Sequence, residues 1–179
     1  VSGYYGRGLD SLVMRTMDVL LSIPQLILAI AIVGALGASL LNLMIAVGIS
    51  VLPRYARLVR ASAMSLRDLE FVEAARAAGA SDLRIIVQNI VPNCMAPLIV
   101  LSTLGVAQAI LSAATLSFLG LGIQPPTPEW GSMLSDGRQF MRNAPHLTIF
   151  PGLAIVVVVM SLNLLGDVLR DALDPKLRR

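Results

Sequence analysis

From Val19 to Pro53 the chain carries no Asp, Glu, Lys or Arg. As one helix this stretch would rise roughly 50 Å, against the roughly 30 Å of a hydrocarbon core. It therefore has to fold back on itself, and Gly34, Gly37 and Ser39 are the turn-compatible residues near its middle. The pattern predicts one helix near Val19 to Ala35 and a second near Leu40 to Tyr55. Pro24 would then sit one turn into a lipid-embedded helix, with neighbouring helices satisfying the carbonyl it frees. Two more uncharged runs extend from Ile85 to Pro128 and from Asn143 to Gly166. Pro92 and Pro97 cut the first at its start, and Gly120, Gly122, Pro125, Pro126 and Pro128 cut it at its end, which leaves spans over Leu98 to Leu119 and Leu147 to Leu165. With 56% hydrophobic and 14% charged residues, where a soluble domain has about a quarter charged, the solvent for most of this chain is lipid. The expected fold class is all-α: a polytopic transmembrane helical bundle of four spans, one domain over residues 1–179, with both termini on the same side.

Positive charge gives the orientation, because Lys and Arg are retained on the cytoplasmic face. Arg7 and Arg15 precede the first span, Arg54, Arg57, Arg60, Arg67, Arg76 and Arg84 lie between the second and third, and Arg170, Lys176, Arg178 and Arg179 follow the fourth. Only Arg138 and Arg142 fall on the other side. Both termini and the middle loop of a multi-pass membrane protein are therefore expected in the cytoplasm, and the net charge of +3 is a topology signal with no nucleic-acid partner behind it. Arg54, Arg57 and Arg60 are expected to snorkel to the headgroups as anchors. Asp10 or Ser11 is the expected helix cap in the amphipathic entry to the first span. The glycines at 3, 6 and 8 make a poor phosphate loop, with no Lys-Ser/Thr after them. Cys94 is the one cysteine and reads as a small apolar residue, and the Val1 start suggests that membrane segments precede it.

The middle loop holds a short charged helix. Asp68 precedes Leu69 to Ala78, a run of good helix formers, and Gly79 supplies the left-handed stop. Phe71, Ala74, Ala75 and Ala78 fall on one face, and Glu70, Glu73 and Arg76 on another. So short a helix is marginal alone in water and needs a surface to pack against.

Glu73-Ala74-Ala75, three residues, Gly79 and then Pro92 resembles the cytoplasmic signature loop of permease subunits in ATP-binding-cassette importers. That loop commonly ends Ile-x-Leu-Pro, whereas Asn89 and Val91 stand at the two apolar positions here. Phe118-Leu119-Gly120-Leu121-Gly122, the run from Gln124-Pro125-Pro126 to Glu129-Trp130-Gly131, and the run from Leu164-Leu165-Gly166-Asp167 to Asp174-Pro175 resemble the dipeptide, oligopeptide and nickel class of these binding-protein-dependent inner-membrane components. The resemblance implies the type I importer permease fold, with four of about six spans present. It also implies a coupling helix at about 69–79, with Phe71, Glu73, Ala74, Ala75 and Gly79 docking on an ATPase subunit. Its implied partners are a homologous second permease, two cytoplasmic ATPases that carry the ATP and Mg, and an extracytoplasmic substrate-binding protein. No cofactor is expected in this subunit. The segment about 120–144 would be an extracytoplasmic loop whose Gln124, Pro125, Pro126 and Trp130 face the binding protein or anchor at headgroup level. Ala144-Pro145-His146 with Phe150 to Ala154 is similar to glutathione-importing members, so dipeptides, oligopeptides, glutathione and nickel are all open as substrates.

Gly105, Ala109, Ala113 and Ser117 form a smooth stripe suited to close helix contact, including contact with the sister permease. Gln108, Ser112 and Thr115 lie beside it, and polar groups in lipid turn toward a partner or a wet cavity, so they are the candidates for the translocation path. His146 has no companion histidine or cysteine for a metal, and Asp167, Asp171 and Asp174 alternate with Arg170 and Lys176 as a solvated helix end does. No nucleophile with its base is apparent, so the chain is read as a transport subunit, not an enzyme. The rival function is a secondary transporter or channel working without ATP, but ion-driven carriers use ionisable groups inside the membrane and need no docking helix.

Overall fold

The structure, a computed structural model, describes residues 2–123 and 125–173, and of Arg7 only the backbone. Among the described residues the chain is helical throughout: α1 (Ser2–Tyr5), α2 (Arg7–Leu21), α3 (Gln25–Leu36), α4 (Leu40–Arg67), α5 (Glu70–Ala77), α6 (Asp82–Ile85), α7 (Val91–Phe118), α8 (Trp130–Gly137) and α9 (His146–Leu173). Three unbroken helical stretches are long and apolar enough to cross a membrane, over Leu40–Arg67, Asp82–Phe118 and His146–Leu173. A fourth crossing is available only if the bent pair Gly8–Leu21 and Gln25–Leu36 counts as one.

That bent pair corrects the first predicted span. The chain turns by 88° between the two helices, and Pro24 is the residue before α3 with φ −53° and ψ 133°, not an interior residue of one helix. Proline disfavours helical backbone at the residue before it, and Ile23 takes that restriction. With 12 residues, α3 rises about 18 Å, too little to cross alone. The α3–α4 turn falls at two of the three residues named for it. Gly37 adopts φ +89° and its amide bonds back to the Val33 carbonyl, while the Ser39 hydroxyl accepts from the Asn42 amide at 3.2 Å. Asn42 closes the turn by donating to the carbonyls of Leu36 at 2.8 Å and Gly37 at 2.9 Å. Gly34 stays inside α3.

Two more boundaries move. The second span does not end at Tyr55 but continues as α4 to Arg67, through Pro53. Pro92 and Pro97 do not end the third. A π-helical turn over Ile86–Ile90 widens the helix just ahead of Pro92, and α6, that turn and α7 form one stretch of 37 residues. Asn93 donates from its side chain to the Asn89 carbonyl at 2.6 Å within this region.

α4 runs away from the α3 turn, α7 returns toward it and α9 comes back beside α7, so the bundle has an arginine-rich end and an opposite end. The core is in two parts. Ala29, Val33, Leu43, Ala46, Val47 and Leu116 join α3, α4 and α7 toward the opposite end. Tyr4, Ala63, Val72, Ile85, Ile90 and Cys94 join α1, α4, α5 and the start of α7 at the arginine-rich end. Cys94 is thus an apolar core residue, as read from the sequence. Glycine permits the α7–α9 contact, since a Cβ at Gly166 would lie 2.7 Å from a methyl of Leu104.

Candidate functional site

α5 stands at the arginine-rich end, between the last turn of α4 and the start of α6. It begins after Leu69, whose carbonyl accepts from Val72 at 2.9 Å and Glu73 at 3.2 Å, so Leu69 and not Asp68 stands at the helix start. Its end follows the expected chemistry. Gly79 adopts φ +82°, its amide reaches the Arg76 carbonyl at 3.0 Å, and the Ala80 amide reaches the Ala75 carbonyl at 3.1 Å. These are the two bonds of a Schellman stop, and Ala75 and Ala80 both pack on the core cluster beneath.

The faces divide differently from the sequence expectation. Val72 is fully buried and Ala75 turns inward with it, while Phe71, Glu73, Ala74, Ala78 and Gly79 are exposed. Ala75 therefore belongs to the anchoring side, because Val72 at i and Ala75 at i+3 share one stripe. The outward surface is Phe71, Ala74 and Ala78, an apolar strip flanked by Glu70 and Glu73. Around Gly79 a Cβ would meet nothing within 4 Å, so the exposed end of α5 is open space.

The N-terminal segment fastens this helix, which sequence reasoning missed. The Tyr4 hydroxyl donates to Asp82 at 2.8 Å and accepts from the Arg76 guanidinium at 3.3 Å, tying α1, α5 and α6 at one atom. The hydrogen bond that Arg76 donates to Tyr4 is the main cause that raises the pKa of Arg76 above its ordinary value. α1 seats closely because Gly3 has no Cβ: one there would lie 2.8 Å from the Arg60 carbonyl and 3.2 Å from the Ala63 methyl. Arg67 also donates to the Gly3 carbonyl at 3.3 Å. The signal available in the sequence was a tyrosine pair between glycines at 3 and 6.

The arginine series is likewise partly occupied. Arg60 makes a two-pronged pair with Asp10, at 2.7 and 2.6 Å, and Arg57 pairs with Asp18 at 2.6 Å. Beyond the anchoring expected of them, both arginines clamp α2 along α4, and Asp10 is an ion-pair partner, not a cap. Asp10 and Asp18 are the only acidic residues before Asp68, and that scarcity was the missed clue.

The smooth stripe on α7 meets α4 and α3 of this same chain. Gly105 faces the Tyr55 ring, and Ala109 and Ala113 pack on the α3–α4 core. Gln108, Ser112 and Thr115 are brought together as expected, on a pocket of about 180 Å³ that also takes Gln25 from α3 and Ser50 from α4. At the opposite end, residues 120–144 are not a plain loop. Glu129 caps α8 by accepting the Ser132 amide at 2.8 Å, and Gly131 and Gly137 let α8 press against the backbones of α7 and α9. Pro125, Pro126 and Trp130 are exposed there, and Gln124 lies outside the described residues. Asp167 and Asp171 lie on the exposed last turns of α9, while Asp174 and Lys176 also lie outside the described residues.

Fold and site together define a polytopic helical membrane protein that presents a short, capped helix at one end of its bundle. The family described as binding-protein-dependent transport system inner membrane component matches residues 1–179, and the chain belongs to it. It is 53% identical over 178 residues to a dipeptide transport system permease protein of Alkalihalophilus pseudofirmus, covering 99% of this chain and 59% of that protein. A glutathione transport system permease protein of Escherichia coli is 50% identical over 175 residues, covering 98% and 58%. A di/tripeptide transport system permease protein of Pseudomonas aeruginosa is 50% identical over 178 residues, covering 99% and 59%. The chain thus spans less than two thirds of the length of the curated relatives it matches.

Proposed function

We propose that the chain is part of a permease subunit of an ATP-driven importer of peptide-like substrates, and that α5 is the element through which cytoplasmic ATPases move it. The observation that carries this reading is the division of α5 into a fixed face and a free one. Val72, Ala75 and the Tyr4 bridge hold it to the bundle, and Phe71, Ala74 and Ala78 are left outward on a helix too short to stand alone. A lever must be stiff where it joins the load and open where it is gripped. In this reading the arginine-rich end is cytoplasmic, the partner ATPases supply ATP and Mg, and a second permease completes the path. Gln108, Ser112 and Thr115 line that path, and the 120–144 segment with Pro125, Pro126 and Trp130 receives the extracytoplasmic binding protein. The names of the relatives, dipeptide, di/tripeptide and glutathione permeases, favour a peptide-like substrate over nickel.

The test is reconstitution of the full-length protein in vesicles with its sister permease, ATPases and binding protein. ATP-driven uptake of dialanine or glutathione is expected. Gly79→Asp is expected to abolish that uptake while membrane insertion persists, because a left-handed position costs an L-residue about 1 to 2 kcal/mol and the α5 stop unravels. Wild-type uptake in this variant, or uptake without ATP, overturns the reading.

A further inference from the structure

Five polar residues from three helices converge on the pocket of about 180 Å³: Gln25 on α3, Ser50 on α4, and Gln108, Ser112 and Thr115 on α7. The bend at Pro24 puts Gln25 at the start of α3, beside α4 and α7. Ser50 and Thr115 spend their hydroxyl protons on carbonyls of their own helices, at Val47 and Leu111. Gln25 does not: its Nε2 is buried with no hydrogen-bond partner. A buried amide donor without an acceptor is unfavourable and persists where something else accepts from it.

A second pocket of about 340 Å³ shares Gln25, Ser50 and Gln108 and extends to Arg54 and Tyr55. Arg54 lies one helical turn beyond Ser50 on the same side of α4. Among the described residues it makes no ion pair, whereas Arg57 in the same pocket is held by Asp18. The linked pockets therefore offer uncharged amide groups leading to one unpaired guanidinium. Neither has an acidic, imidazole or thiol group on its walls, so the ligands that a transition-metal ion such as nickel favours are missing there.

Resting on the peptide-importer reading, we propose that these joined pockets are a station for the main chain of a small peptide on its way through the protein. Gln25 and Gln108 hydrogen-bond its peptide group, and Arg54 pairs with its terminal carboxylate. Leu26, Ala29 and Leu111 give the side chains an unselective apolar wall.

The experiment measures dialanine imported per ATP hydrolysed by vesicles carrying the full transporter. Gln25→Leu and Gln108→Leu are each expected to lower that ratio about tenfold, the loss of one good hydrogen bond. Gln25→Asn restores part of it, and Arg54→Lys retains more than Arg54→Gln. An unchanged ratio in both leucine variants overturns the station while leaving the importer reading intact. A loss in Gln25→Leu that Gln25→Asn does not relieve assigns Gln25 to packing and overturns it too. Wild-type vesicles that take up neither dialanine nor glutathione with ATP overturn the importer reading itself and the station with it.

Discussion

Val72 is fully buried while its neighbour Phe71 keeps 41% of its surface exposed, so two adjacent apolar residues do opposite work. Val72→Asp puts an unpaired charge into the core and is expected to destabilise the protein by about 3 to 5 kcal/mol, read as a lowered unfolding temperature in detergent. Phe71→Ala is expected to cost about 1 kcal/mol or less, yet to weaken co-purification with the ATPase subunits. Equal stability losses in the two variants would contradict this division. Tyr4→Phe removes the one atom that bridges Arg76 and Asp82. Its expected stability cost is about 1 kcal/mol, since both partners remain in reach of water, with a larger proportional fall in ATP-driven uptake. An uptake that falls no more than stability would make Tyr4 a packing residue only. The turn at Gly79 was legible in the sequence because glycine after an alanine-rich run has one favoured use. Tyr4 was not, because its two partners lie 72 and 78 residues away and pattern reasoning is local.

At the scale of elements, apolar runs located the helices, and proline misled at both of its important positions. Pro24 was read inside a helix and lies at a bend, whereas Pro92 was read as a break and lies inside a continuous helix. The difference is what surrounds each. A π turn precedes Pro92 and absorbs its steric demand, while α2 ahead of Pro24 lies along α4, joined to it by the Asp10–Arg60 and Asp18–Arg57 pairs. Those pairs depend on side chains some 40 to 50 residues apart in sequence. α8 was missed because its eight residues sit among prolines and glycines that read as loop. Its seat depends on Gly131, where any Cβ would run into the Ala114 carbonyl. Gly131→Leu is expected to lift α8 from α7 and raise hydrogen exchange across residues 130–137, with little change at α5. Unaltered protection there would show that α8 is held by other contacts.

For the whole molecule, the two ends of the bundle present different surfaces, and the proposed function gives each its own job. The arginine-rich end holds α5 in a clamp of α1, α4 and α6, and the opposite end presents α8 with Trp130, Pro125 and Pro126. The pocket of Gln25, Ser50, Gln108, Ser112 and Thr115 lies between them, where α3, α4 and α7 meet. The smooth α7 stripe is spent within this chain, which leaves the exposed apolar side chains of α9, among them Val156, Val157, Met160 and Leu164, for lipid or a sister subunit. The central claim is that α5 is gripped from the cytoplasm by an ATPase. Single cysteines at Ala74 and at Ser135, in a Cys94→Ser background of the full transporter, test it by cross-linking. Ala74→Cys is expected to couple to an ATPase subunit and to be labelled only from the cytoplasmic side, while Ser135→Cys does neither. An ATPase cross-link at Ser135→Cys, or labelling of Ala74→Cys from outside the cell, would contradict it.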